Sequence, residues 1–152
     1  HNISLAITDS VKRLTVFRNL EKNNFKVINA VHSRSYISPT AKIGRGNHIK
    51  AESIIDTNST LGSACIVDNN VTIPHDNIIE DGVHLAPGVT LGSSITVGRN
   101  SIIGIGSSIS TDIMIGEYCI ISVGSSVTMN VPDRSMVEGV PGKIIGTRKI
   151  QV

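Results

Sequence analysis

The stretch Ile73-Pro74-His75-Asp76-Asn77-Ile78 holds the residues best suited to chemistry in this chain of 152 residues. A histidine titrates at about pH 6.5, so its imidazole can take a proton at neutral pH. A neighbouring carboxylate raises the basicity of the ring and fixes which nitrogen carries the proton. Asp76 can be that carboxylate for His75, and a second histidine, His84, follows nine residues later. Spacing alone leaves two readings open. One makes His75 a general base assisted by Asp76; the other makes the two a solvated turn pair worth about a few tenths of a kcal/mol.

The element that must position these side chains is a repeat. Counting in sixes from Ile37 gives Ile43, Ile49, Ile55, Leu61, Val67, Ile73, Ile79, Leu85, Leu91, Val97, Ile103, Ile109, Ile115, Ile121 and Val127, sixteen Ile, Leu or Val residues without a break. Four residues after each anchor comes a mostly small or slender one, such as Ala41, Ser59, Cys65, Asn77 or Ser125. Gly, Asp or Ser often follows the anchor directly, as at Gly62, Asp68 and Gly92. A fixed internal period marks a solenoid whose repeats bury their faces only against their neighbours. Six residues are too few for a helical repeat and suit a short strand plus a bend. Three hexads then close one triangular coil of eighteen residues, giving about five coils between Ile37 and Val127.

The anchors point inward, where β-branched side chains suit a pleated wall. Small residues let the corners close, and Gly, Asp or Asn beside the bend tolerate unusual backbone angles. Two Tyr, two Phe and no Trp agree with an interior too narrow for rings. The expected fold is mainly β, a parallel β-helix of hexapeptide repeats over residues 37–131.

Residues 1–36 read as a partial α/β unit and joint. Ile3–Thr8 forms a strand, Asp9 or Ser10 caps a helix to about Asn23, and Phe25–Val31 forms a second strand. Val11, Leu14, Phe17 and Leu20 make the apolar stripe of the helix. Two strands and a helix are a poor core alone. The unit is therefore expected to be a vestigial cap or the last part of a longer domain. Residues 132–152 are expected to close the open end of the solenoid, with Val137–Gly142 irregular and a short basic tail from Lys143.

Composition narrows the partners. A net charge of +2 without a Lys/Arg-rich run argues against nucleic acid. No apolar run approaches the roughly 18 residues that a membrane helix needs, and no leader is evident. Cys65 and Cys119 share a register three coils apart. Stacked strands lie about 4.8 Å apart, which separates the two by about 14 Å. A disulfide needs Cα atoms within about 7 Å. Buried free thiols follow, with a reducing cytoplasm as the expected compartment, and neither thiol suits a nucleophile.

IPHDNIIEDGVHLAPGVTLGSS, residues 73–94, resembles the active-site stretch of the sialic acid and bacillosamine type of sugar O/N-acetyltransferases, within the hexapeptide acyltransferases. VPDRSMVEGVPGK, residues 131–143, is similar to the ending of that family. The resemblance spans essentially the whole chain, although the family's Gly-rich loop for the nucleotide-sugar has no counterpart. It implies a left-handed β-helix, against the usual right-handed preference for crossovers. It also implies a homotrimer with active sites between subunits, acetyl-CoA as co-substrate without a metal, and an amino or hydroxyl group of a nucleotide-linked sugar as acceptor in bacterial surface-glycan synthesis. Residue by residue, His75 matches the general base and Asp76 the carboxylate that polarises it. His84 matches a histidine that contacts the acetyl donor, and Ser93 the position whose backbone N–H meets the thioester carbonyl. Ile105 and Val123 match backbone contacts along the pantetheine arm, and Lys143 a partner of the adenosine phosphates. Asp68 stands at a substrate-contacting position where the family commonly has Asn, and Gly142 replaces the usual Ala before Lys143.

Two other functions compete. A γ-class carbonic anhydrase shares the fold but needs three zinc-binding histidines, two of them five residues apart, whereas His75 and His84 are nine apart. A non-catalytic scaffold would explain the missing loop, yet gives no reason to keep His75, Asp76 and His84 together.

Overall fold

The computed structural model describes residues 2–150. Three parallel ladders wind into a left-handed triangular solenoid of about six turns. The first sheet begins with Ala30–Val31, His48–Ile49, Ile66–Val67 and His84–Leu85, and continues through Ile120–Ile121 to Ser135–Glu138. The second stacks six strands from Tyr36–Ile37 to Ser126–Val127, and the third stacks five from Lys42–Ile43 to Met114–Ile115. Registers such as Thr72↔Ile54 and His84↔Ile66 place each residue over the one eighteen positions away.

The anchors bring this about. Every one from Ile49 to Val127 is buried, while Ile37 and Ile43 in the open first coil are partly covered. The slender residues between them are buried too, and their polar members are satisfied. Ser101 Oγ, for example, donates to Gly116 O and accepts from the Cys119 N–H. Cys65 and Cys119 are buried free thiols, and burial pushes the Cys65 thiol up to about 12.

From the second anchor of the first coil onward, the corners turn on a residue with positive φ, three positions after the anchor. Fourteen consecutive hexads keep the rule from Gly46 to Gly124, with Asn58, Asp76, Ser94 and Asp112 among them. The position directly after the anchor, expected to carry the unusual angles, is small for another reason. A Cβ on Gly92 would sit 2.6 Å from the Thr111 backbone nitrogen of the next coil.

The ends differ from expectation. β1 (Asn2–Ile3) is shorter than the predicted first strand; it pairs in parallel with β2 (Lys26–Val27) across α1 (Ser10–Lys22), which Asp9 caps. The predicted strand Phe25–Val31 is in fact two, because Ala30–Val31 joins the solenoid against His48–Ile49. At the other end the coil shortens to a sixteen-residue step, Ile115 to Val131 and Ile121 to Val137. Ser135–Glu138, expected to be partly irregular, forms a strand, and Lys143–Thr147 folds back on it antiparallel. His1 and the last two residues of the expected tail lie outside the described residues.

Leu14 and Phe17 of α1 pack with Leu5, Val27 and Ala64 on the corner between the third and first sheets. Arg13, on the same helix, is wholly buried there. Its guanidinium donates to the carbonyls of Ile7, Thr8, Ala64 and Gly82 at 2.7–3.0 Å. Higher on this corner Arg148 donates to the carbonyls of Asn100 and Tyr118. No described helix is long and apolar enough to cross a membrane.

Candidate active site

His75 stands on the corner between the second and third sheets, in a column with Thr57 below and Ser93 and Thr111 above. Asp76 occupies the left-handed position of that corner, at φ 60°. Its Oδ2 lies 2.8 Å from His75 Nδ1. The hydrogen bond from His75, against slight desolvation and aided by Asn58, holds the Asp76 carboxyl below its ordinary value. An ionised carboxylate only accepts, so Nδ1 carries the proton of a neutral ring and Nε2 presents its lone pair. Ser93 Oγ lies 3.0 Å from that Nε2 and donates to it. The ring is poised to accept a proton on an exposed edge; 57% of the His75 side chain faces solvent.

Asn77, wholly buried behind this corner, sets the backbone. Its Nδ2 donates to Pro74 O at 2.8 Å and Gly92 O at 3.0 Å, and its Oδ1 accepts the Ile95 N–H. In a trans peptide the N–H points opposite to the C=O. Turning the Pro74 and Gly92 carbonyls inward therefore turns the N–H groups of His75 and Ser93 outward. Among the described residues neither amide donates to an acceptor in the chain. The matching amides of Ser63, Arg99 and Glu117 on another corner are occupied by the carboxylates of Asp81, Glu80 and Asp133. Asn77 was visible in the sequence only as one of the slender interior residues, and nothing there showed which carbonyls it holds.

The other expected site residues lie elsewhere on the prism. His84 opens a strand of the first sheet, and its Nε2 lies 3.0 Å from Asp68 Oδ2. Asp68, expected at the substrate, is buried and gives its other oxygen to Lys50 Nζ at 2.5 Å. Burial alone would raise the Asp68 carboxyl, but the hydrogen bonds and charges of Lys50 and His84 outweigh it and hold the group below its ordinary value. Ile105 and Val123 are exposed on the corner between the first and second sheets, one coil apart. Lys143 starts the exposed returning strand of the first sheet. Within one chain the structure thus brings together His75, Asp76 and Ser93, and separately Asp68 and His84.

A column of hexapeptide coils with a histidine–carboxylate pair on one corner is the arrangement expected from the resemblance to hexapeptide acyltransferases. No protein-family model matches the chain, but solved structures do. PerB from Caulobacter crescentus, in complex with CoA and GDP-perosamine, superposes with a TM-score of 0.94 at 28% identity over 95% of this chain and 70% of that one. The acetyltransferase domain of PglB from Neisseria gonorrhoeae gives 0.93 at 27% identity, again over 95% and 70%. WeeI from Acinetobacter baumannii gives 0.90 at 26%, with the same coverage. The resemblance read from the sequence thus agrees with the structure, which is similar to that of hexapeptide-repeat sugar acetyltransferases.

Proposed function

We propose that the chain transfers the acetyl group of acetyl-CoA to an amino group of a nucleotide-linked sugar in bacterial surface-glycan synthesis, working in the cytoplasm. The observation that carries this reading is the corner where His75, backed by Asp76, lies beside the outward Ser93 amide. The GDP-perosamine and CoA complex of PerB supports both substrate classes.

In this mechanism the acceptor displaces the Ser93 hydroxyl from His75 Nε2. The amine nitrogen attacks the thioester carbonyl as Nε2 takes its proton, and Asp76 stabilises the resulting imidazolium. The Ser93 N–H meets the developing oxyanion, a donor fixed in advance by the buried Asn77. The C–S bond then breaks and the imidazolium returns its proton to the thiolate, giving the amide and CoA. No acyl-enzyme is needed, in keeping with two buried thiols.

The active unit in this reading is a homotrimer. His75 on one corner, and Ile105 with Val123 on another, converge only when separate copies face each other. The outward residues Ile66, Ile102, Ile120 and Met136 of the first sheet offer an apolar strip for such packing. The donor would then run past His84, Ile105 and Val123 toward Lys143.

His75→Ala tests the central claim. It is expected to lower turnover with acetyl-CoA and a nucleotide-linked amino sugar by about 10² or more while CoA affinity stays within a few-fold. A variant retaining the wild-type rate refutes the general-base role. Light scattering of the same samples checks for the trimer.

A further inference from the structure

The first sheet carries a second arrangement of titratable groups, and its geometry determines what His84 can offer a ligand. Lys50, Asp68 and His84 occupy neighbouring coils, with Lys50 one full coil below Asp68. The Asp68 and His84 side chains are 10% and 15% exposed, so solvent is not their main partner. One Asp68 oxygen accepts from Lys50 Nζ and the other faces His84 Nε2. An ammonium has only donors and an ionised carboxylate only acceptors. The chain of contacts therefore has one polarity. Asp68, having no donor, must accept from His84 as it does from Lys50, and the ring proton sits on Nε2. Among the described residues His84 Nδ1 meets no partner.

We infer that Asp68, its other oxygen engaged by Lys50, is a positioning residue that holds neutral His84 in the Nε2–H tautomer, so that Nδ1 accepts a hydrogen bond from a pantetheine amide N–H of the donor. This rests on the acetyl-CoA reading above and sharpens it. CoA carries two amide N–H groups in its pantetheine arm, whereas the thioester carbonyl only accepts. A bare Nδ1 serves the first and repels the second. His84 is thereby excluded from the oxyanion site, which leaves the Ser93 amide to fill it.

Asp68→Asn is the informative change. Lys50, still a pure donor, claims the amide oxygen and turns the –NH2 toward His84. That forces the ring proton to Nδ1 and sets a donor against the pantetheine N–H. Removing Lys50 as well frees the amide to rotate, so the Lys50→Met/Asp68→Asn double variant recovers part of the original tautomer.

Long-range 1H–15N spectra of the ligand-free protein, assigned with His84→Gln, read the tautomer directly, and calorimetry reads the affinity for CoA and acetyl-CoA. Expected are an Nε2–H ring in the wild type and in Lys50→Met, and an Nδ1–H ring in Asp68→Asn. Asp68→Asn should also weaken both ligands by about tenfold or more, with partial recovery in the double variant. An Nδ1–H or doubly protonated ring in the wild type at pH 8 overturns the inference. So does a loss confined to acetyl-CoA, which would put His84 on the thioester carbonyl. If the wild type binds neither ligand, the functional reading fails by itself, and the spectra still decide the tautomer.

Discussion

Ser93 offers the clearest separation of side-chain from main-chain chemistry at this site. Its hydroxyl sits 3.0 Å from His75 Nε2, where the acceptor nucleophile arrives in the proposed mechanism. A hydrogen bond of this kind is worth about 0.5–1.5 kcal/mol net, or about 2- to 12-fold in an equilibrium constant. Ser93→Ala removes the occupant and keeps the amide. The acceptor KM is therefore expected to fall by up to about tenfold, with kcat within about threefold of wild type. Ser93→Pro does the reverse by deleting the N–H. Proline already holds the same place in other hexads, at Pro39 in this very column and at Pro87, so the corner accepts its fixed φ. Losing one oxyanion donor is expected to cost about 10²–10³ in kcat.

Release of CoA can be followed with a thiol reagent, because Cys65 and Cys119 are buried and burial raises both thiols. Thermal melts establish that both variants are folded. If Ser93→Ala lost 100-fold or more in kcat, the hydroxyl would lie on the proton path and the displacement argument would fall. A Ser93→Pro enzyme at full speed would remove the amide from the mechanism.

Two further outcomes test the scaffold. Arg13→Met deletes four hydrogen bonds to carbonyls; at about 1 kcal/mol each, about 4 kcal/mol of docking energy should go. Hydrogen exchange should then rise in β1, α1 and β2 while the coils from Ile55 to Val127 keep their protection, and uniform loss would contradict a local role. Burial, reinforced by the charges of Lys50 and Arg13, holds His48 below its ordinary value. The unfolded chain therefore binds this proton first, and stability that is complete above about pH 6.5 declines as the pH falls below it. His48→Gln should flatten that decline in urea titrations between about pH 7 and pH 5, and an unchanged slope would assign it to other groups.

The coil architecture was legible because each anchor repeats one requirement, an aliphatic side chain facing a narrow interior. The place of the left-handed residue was not. Glycines after the anchors suggested it, but those positions are small because the next coil passes close to their Cα, as at Gly92 against Thr111. His75 and Asp76 could be paired from the sequence because they are adjacent. Asn77 and Arg13 could not, since their partners are main-chain groups, which carry no sequence signal, and for Arg13 two of them lie 51 and 69 residues away. A helical arginine reads as solvated until the corner it covers is known. Asp68 was expected at the substrate by resemblance alone, and the structure shows both of its oxygens engaged by Lys50 and His84.

The solenoid also dictates how its site is wired. Winding turns a sequence separation of eighteen into contact, so side chains on a corner find partners directly above or below. His75 with Ser93 and Arg99 with Glu117 are such pairs, as are Lys50 with Asp68 and the stack of Asp76 over Asn58. This gives precision along the column at the cost of depth, because a convex corner cannot surround a substrate. His75 accordingly has a base partner, a displaceable hydroxyl and an outward amide within one or two coils, yet remains more than half exposed. In the proposed trimer the missing wall comes from a second copy, whose exposed Ile105 and Val123 corner lacks a base just as the His75 corner lacks a wall. It follows that an interface mutation such as Ile120→Lys, one coil beyond the strand that pairs with His84 and remote from the His75 corner, should abolish turnover in step with loss of the trimer. A monomer retaining full turnover would show that one corner suffices.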